Sequence, residues 1–130
     1  MGPADHAKLL LRKAADDELV LRLLLSSPDS PDEAIGFHAQ QAVEKMLKAA
    51  LASRGIRYPW RHDLVELIDL LRQNGIPFPQ ELEDVRRLNP FAVELRYDEL
   101  PEPQEEPIDR AWAMDCVHRI RAWAESVILP

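Results

Sequence analysis

Apolar residues recur at helical spacing in four long segments of this chain. Positions i, i+3, i+4 and i+7 are apolar in each, which is the pattern of a helix with one buried face. The predicted helices run from about Ala4 to about Leu25, from Ser30-Pro31 to about Arg54, from Asp63 to about Gln73, and from about Pro107 onward. The pattern predicts an all-α fold, an antiparallel up-and-down four-helix bundle. A short fifth helix is expected after Pro79, with a weaker turn through Phe91 to Tyr97.

Two of these helices begin with recognisable capping residues. Ser30 offers an N-cap hydroxyl, Pro31 suits the first helical position, and Glu33 follows three residues after the cap. Asp63 and Glu66 form an acidic variant of the capping box. The alternative role for Asp63 is a proton-transfer pair with His62.

Composition narrows the class of protein further. The chain has 130 residues, only four glycines and no threonine, which argues against sandwiches and barrels and predicts one domain spanning 1–130. No apolar run reaches the roughly 20 residues of a membrane span, and the N-terminus does not resemble a signal peptide. The single Cys116 agrees with a reducing compartment. We therefore expect a cytoplasmic protein.

Common cofactor and metal motifs are missing from the sequence. No Gly-rich phosphate loop and no His-Glu-x-x-His occur. Asp115 and His118 lie three residues apart on the last predicted helix, but two ligands without a third do not make a metal site. We expect neither a metal nor a cofactor, and we expect Cys116 to be an inert core thiol.

The net charge of −7 is unevenly distributed. The stretch from Asp98 to Pro107 contains five acids and no Lys or Arg, whereas the window between Glu44 and Asp63 contains no acid. The window's cations and aromatic residues are Lys45, Lys48, Arg54, Arg57, Tyr58, Trp60, Arg61 and His62. This composition predicts a site that holds the phosphate of a nucleotide or RNA while an aromatic ring stacks on a base. The alternative is a solvated helix end.

The second predicted helix carries a further set of side chains opposite its apolar face. Phe37 and Gln41 lie one turn apart there, and Glu44 and Lys48 continue the row. An aromatic ring on that face needs a cover, which predicts a homodimer interface at Phe37 and Gln41. The alternative is that the bundle covers both faces of this helix.

Three blocks of residues resemble the HEPN domain, named for higher eukaryotes and prokaryotes nucleotide-binding. They are Phe37-His-Ala-Gln-Gln-Ala-Val-Glu-Lys-Met-Leu-Lys-Ala49, His62-Asp63-Leu64 and Glu94-Leu95-Arg96-Tyr97. The resemblance implies a helical bundle that is frequently dimeric. It also implies either a minimal nucleotidyltransferase partner in a toxin–antitoxin pair or a metal-independent RNase. In the third block, Arg96 with Tyr97 is expected to hold a phosphate or to pair with the acids that follow.

In the RNase branch of that family, an Arg is separated from a His by four to six intervening residues on a late helix. Arg110 and His118 have seven residues between them, and Arg57 and His62 have four but lie in the loop around Pro59. We therefore expect no intrinsic RNA cleavage. The sequence favours a HEPN-like, nucleotide-associated binding module that partners a minimal nucleotidyltransferase. The alternatives are an RNase toxin using either Arg–His pair and a homodimeric scaffold without a nucleotide role.

Overall fold

The computed structural model describes residues 2–92 and 107–128. Its helices are α1 (Pro3–Leu25), α2 (Asp32–Ser53), α3 (Leu64–Gln73), a 3₁₀ helix (Gln80–Ala92) and α4 (Arg110–Ile128). Within the described residues the fold is entirely helical and contains no strand. The predicted all-α helical bundle is confirmed, and the expected short fifth helix is the 3₁₀ helix. Residues 93–97 of the expected turn lie outside the described residues.

Helices α1 and α2 form an antiparallel hairpin. Ala7, near the start of α1, packs with Ala49 and Ala52, near the end of α2. Farther along α1, Asp17 contacts His38 in the first half of α2. Small residues at the crossing let the two backbones approach closely, and this pairing places the start of α1 beside the chain that leaves α2.

Helix α2 is the central element of the bundle. One hydrophobic cluster joins its buried residues to all the other helices, and Val43 and Leu47 at its centre have no exposed surface. The opposite side of α2 is covered as well, since Gln40 is 0% and Glu44 only 2% exposed. At these two positions the bundle therefore covers both faces of α2, which is the alternative that the sequence left open. Sequence periodicity distinguishes the two sides of a helix but does not tell how many neighbours cover them.

The start of α2 differs from the predicted cap. Pro31 occupies the N-cap position without a side-chain hydrogen bond, and the helix begins at Asp32. The carbonyl of Ser30 accepts a hydrogen bond from Arg110 at 2.7 Å, and Asp32 accepts one from the Ile108 amide at 3.1 Å. Contacts from the start of α4 thus fix this segment, where the sequence predicted a local Ser30 cap.

At the start of α3, the predicted Asp63 cap is present but the reciprocal bond from Glu66 is not. Asp63 is the N-cap, and its carboxylate accepts hydrogen bonds from the Val65 and Glu66 amides. The Glu66 side chain does not complete the capping box but accepts a hydrogen bond from Arg61 at 2.6 Å.

No helix among the described residues has the length and hydrophobicity of a membrane span.

Candidate functional site

The loop 56–62, between α2 and α3, presents the most exposed aromatic side chain of the described residues. It follows Gly55, which ends α2 with a φ of 70°. Trp60 is 99% exposed, and Arg57 and Arg61 beside it are also exposed. Large aromatic side chains normally bury most of their surface, so a fully exposed Trp between two cations marks a candidate recognition site.

Tyr58 anchors the first half of this loop. Its hydroxyl lies 2.8 Å from Nε2 of His6 at the start of α1, and the two rings stack with centroids 6.2 Å apart. Lys48 of α2 places Nζ 5.3 Å from the Tyr58 ring centroid. Burial, and secondarily the charge of Glu44, raise the pKa of Tyr58. Tyr58 therefore fixes the loop to both helices of the hairpin as a neutral phenol.

His62 anchors the second half of the loop. Its Nδ1 lies 3.0 Å from both carboxylate oxygens of Glu44. Glu44 is also held by Gln40 Nε2 and by Lys48 Nζ, each at 3.0 Å. Gln40 in turn accepts a hydrogen bond from Gln41 at 2.8 Å. A buried carboxylate is tolerated here because a cation and several donors surround it.

The basic window loses most of its uncompensated charge through pairing with acids from elsewhere in the chain. Lys45 bonds to Asp17 of α1, which also meets Nδ1 of His38 at 3.1 Å. Lys48 and His62 share Glu44, and Arg61 pairs with Glu66. Only 24% and 13% of the Lys45 and Lys48 side chains are exposed. This corrects the predicted site. Lys45 and Lys48 are already paired with acids, and the candidate anion site is limited to the loop 56–62.

Arg57 and Arg54 are the exposed cations of the window that form no ion pair within the described residues. Arg54 occupies the C-cap position of α2. Arg57 lies at the edge of a shallow groove of about 470 Å³, which α3 borders with Asp63, Glu66 and Asp69. The groove therefore carries three carboxylates, and Arg57 is the one cation among the described residues that lines it.

The structure does not bring Arg110 and His118 together as a site. The Arg110 guanidinium donates to the carbonyls of Ser27, Pro28 and Ser30. His118 is exposed, eight positions farther along α4, which corresponds to about 12 Å of helical rise. Arg110 is occupied in holding the α1–α2 connection, so this alternative pair is removed as a candidate. Arg96 and Tyr97 lie outside the described residues.

A second polar cluster joins α4 to the 3₁₀ helix. Arg119 donates to both carboxylate oxygens of Asp84, and Trp112 donates to the same carboxylate at 2.8 Å. The Arg119 guanidinium lowers the pKa of Asp84. Cys116 lies under this cluster, and burial raises the pKa of its thiol to about 12. These groups hold the helices together, and the thiol is neutral at physiological pH.

The expected interface residues are half-buried. Phe37 packs edge-to-face with His38, with ring centroids 5.2 Å apart, and Gln41 bonds to Gln40. Among the described residues, the exposed large aliphatic surface lies on α1. It comprises Leu19, Val20 and Leu23, which are 50%, 37% and 63% exposed.

No group of three or more His, Cys, Asp or Glu side chains suited to a metal occurs in the part of the chain that the structure describes.

Sequence reasoning missed the importance of Glu44. Within the first block, Gln40, Gln41 and Lys48 all serve to hold this carboxylate, and His62 of the second block completes its shell. The available signal was a carboxylate on the polar side of α2, one helical turn from both Gln40 and Lys48. Its partner His62 could not be identified from the sequence, because it lies 18 residues away, on the loop.

The chain is similar in sequence to known proteins. The chain is 41% identical over 51 residues to the protein named "Putative toxin MJ1304" from Methanocaldococcus jannaschii. That match covers 39% of this chain and 32% of the relative, so it spans about a third of the relative's length. No solved structure matches the chain. The HEPN domain family matches residues 7–127, nearly the whole length, and the chain therefore belongs to the HEPN domain family.

Proposed function

We propose that this protein is a toxin-type HEPN module that binds a nucleotide or single-stranded RNA on the loop 56–62. The observation that carries the proposal is Trp60, which is 99% exposed on a loop fixed at Tyr58 and His62. Bases stack readily on exposed aromatic rings, and single-stranded RNA offers unstacked bases. Arg57 and Arg61 on either side of Trp60 supply the charge that phosphates require.

Membership of the HEPN family and the relative named "Putative toxin" support the toxin-type part of this proposal. A minimal nucleotidyltransferase partner, a homodimer and a cytoplasmic location belong to the same proposal. The apolar surface of Leu19, Val20 and Leu23 on α1 is the surface that a second copy would cover.

Binding of a fluorescein-labelled uridine decamer, followed by anisotropy, tests the proposal. We expect Trp60→Ala to lower the affinity about tenfold, because stacking on an aromatic residue contributes about 1–3 kcal/mol per base. Two phosphates on Arg57 and Arg61 should give a slope of about −1.4 for log K against log salt, since each single-strand contact adds about −0.7.

The matched control for the double variant Arg57→Ala/Arg61→Ala is Arg12→Ala/Lys13→Ala. Arg12 and Lys13 are two exposed cations on α1. We expect the loop variant to lose most of the salt dependence and the control to keep it. Equal losses in the two variants would contradict a site at the loop and would indicate non-specific attraction.

The ion pair between Arg61 and Glu66 offers a second test of the same site. Glu66 holds Arg61 at 2.6 Å, so a phosphate must compete with this carboxylate. We expect Glu66→Gln to raise the affinity for the decamer more than Asp69→Asn does. Asp69 is a matched control, because it lies in the same groove but its described ion-pair partner is Arg86. An equal gain in both variants would mean that only the general charge of α3 matters.

A metal-independent RNase is the second candidate function. One observation favours it: Arg57 and His62 share an exposed loop, and a buried carboxylate holds the His62 ring by Nδ1. A histidine oriented in this way suits proton transfer, and an arginine suits the charge of a phosphoryl transition state. Cleavage of RNA in the presence of EDTA, lost in both Arg57→Ala and His62→Ala, would establish this function. If the wild-type protein leaves the RNA uncleaved, the RNase function is excluded and the binding function remains.

A further inference from the structure

We propose that Glu44 is a positioning residue for the loop 56–62, the segment on which the proposed ligand binds. It holds His62 by Nδ1, so that Nε2 is the ring nitrogen that contacts the bound nucleotide or RNA. This inference rests on the proposed binding function and assigns a role to a residue that does not itself reach the ligand. It also adds His62 to Trp60, Arg57 and Arg61 as a group that contacts the ligand.

The geometry at Glu44 determines which nitrogen carries a proton. Nδ1 of His62 lies 3.0 Å from both oxygens of the carboxylate. An ionised carboxylate only accepts hydrogen bonds, so Nδ1 must be the donor. Nε2 is then an acceptor in the neutral ring and a second donor in the protonated ring. In either state Nε2 is the nitrogen available to a ligand.

The carboxylate itself is held rigidly on α2. Gln40 and Lys48 donate to separate oxygens of Glu44, each at 3.0 Å, and Gln41 supports Gln40. All four residues belong to the central helix, whereas His62 belongs to the loop. A network on a rigid helix therefore fixes the orientation of a side chain on a connecting segment, which is the arrangement that precise recognition requires.

The location of His62 connects this network to the ligand site. The His62 side chain is 59% exposed, and it follows Arg61 directly and Trp60 by two positions. Nε2 makes no hydrogen bond within residues 2–92 and 107–128. A buried ion pair often contributes no more stability than apolar residues of the same size, so stability alone does not account for a carboxylate at this position.

The protein contains a close match that serves as a control. Asp17 is a largely buried carboxylate of α1 that accepts from Nδ1 of His38 at 3.1 Å and from Lys45. Its histidine lies on α2, away from the loop, and only 26% of that side chain is exposed. Asp17→Asn therefore removes a similar charge from a similar His–Lys cluster without changing the loop.

Two measurements test the proposal. Long-range ¹H–¹⁵N spectra of the wild-type imidazole rings report which nitrogen of His62 bears hydrogen in the neutral form, and we expect Nδ1. A double-mutant cycle then measures affinity for the uridine decamer in wild type, Glu44→Gln, His62→Ala and the double variant. Loss of an outer partner that orients a histidine costs about tenfold or more in metal sites. We expect about a tenfold loss for Glu44→Gln in the wild-type background and less than about twofold in the His62→Ala background.

The possible outcomes separate this inference from the proposed function. Hydrogen on Nε2 in the wild type would overturn the role of Glu44, and this measurement does not depend on the stability of any variant. Equal losses from Glu44→Gln in both backgrounds, or an equal loss from Asp17→Asn, would show a general structural effect and overturn the inference alone. Absence of decamer binding by the wild type would overturn the proposed function and this inference together.

Discussion

Asp63 has a structural role that can be tested quantitatively by replacing it with alanine. Its Oδ1 accepts from the Val65 amide at 3.0 Å and from Asn89 Nδ2 at 3.1 Å. Asn89 Oδ1 accepts from the Leu64 amide at 2.9 Å. One carboxylate oxygen therefore caps α3 and also ties the 3₁₀ helix to the start of α3.

The expected loss follows from these contacts. An N-cap lost to alanine costs about 1 kcal/mol. The hydrogen bond between Asn89 and a charged acceptor contributes about 1.5 kcal/mol. We expect Asp63→Ala to lower the free energy of unfolding by about 2.5 kcal/mol, which corresponds to a fall of about 9 °C in Tm for a chain of this length. Asp63→Asn should cost less than about 1 kcal/mol, because asparagine is an equally good N-cap.

Urea unfolding followed by circular dichroism measures both variants, with the slope against urea as a check that the transition remains two-state. A loss below about 0.5 kcal/mol in Asp63→Ala would refute the capping argument, since even the weakest N-caps contribute this amount. Equal losses in the alanine and asparagine variants would show that charge matters more than the cap. The alternative role of Asp63 as proton partner of His62 receives no support from the geometry, because Nδ1 of His62 contacts Glu44 instead.

Three further predictions concern packing, the thiol and assembly. Gly36→Ala should lower the free energy of unfolding by about 1–3 kcal/mol, because the new Cβ would lie 2.2 Å from the Phe91 ring; a neutral effect in urea unfolding would contradict this contact. Cys116 should react with a thiol reagent only on unfolding, and stability relative to Cys116→Ala should fall between pH 9.0 and about 12, where the unfolded thiol ionises and the folded thiol does not. Rapid labelling of the native protein would contradict both expectations. Sedimentation at tens of micromolar should show a homodimer that Leu23→Glu weakens, and a wild-type monomer would contradict the interface on α1.

The sequence by itself determined the helices of this protein and much of their order. Spacing of apolar residues located α1, α2, α3 and α4 to within a few residues, because a helix that buries one side repeats every 3.6 residues. The Asp63 cap was also predictable, since an N-cap bonds amides only two and three residues away. Three motif blocks were sufficient to indicate the HEPN family, which the match over residues 7–127 established.

Only the tertiary structure decided how charged residues are used. The window between Glu44 and Asp63 contains no acid in sequence, yet Asp17, Glu44 and Glu66 neutralise Lys45, Lys48 and Arg61 in space. The predicted Ser30 cap likewise does not form, and the Ser30 carbonyl instead accepts a hydrogen bond from Arg110, which lies 80 residues away. Electrostatic and hydrogen-bonding partners are set by proximity in space, and the sequence pattern of a helix does not specify which other helix lies against it. Trp60 could be predicted as a residue of the basic window because that assignment depends on sequence alone. Its full exposure and the anchoring of its loop by His6 and Glu44 could not be predicted, because they depend on which parts of the chain lie close together in space.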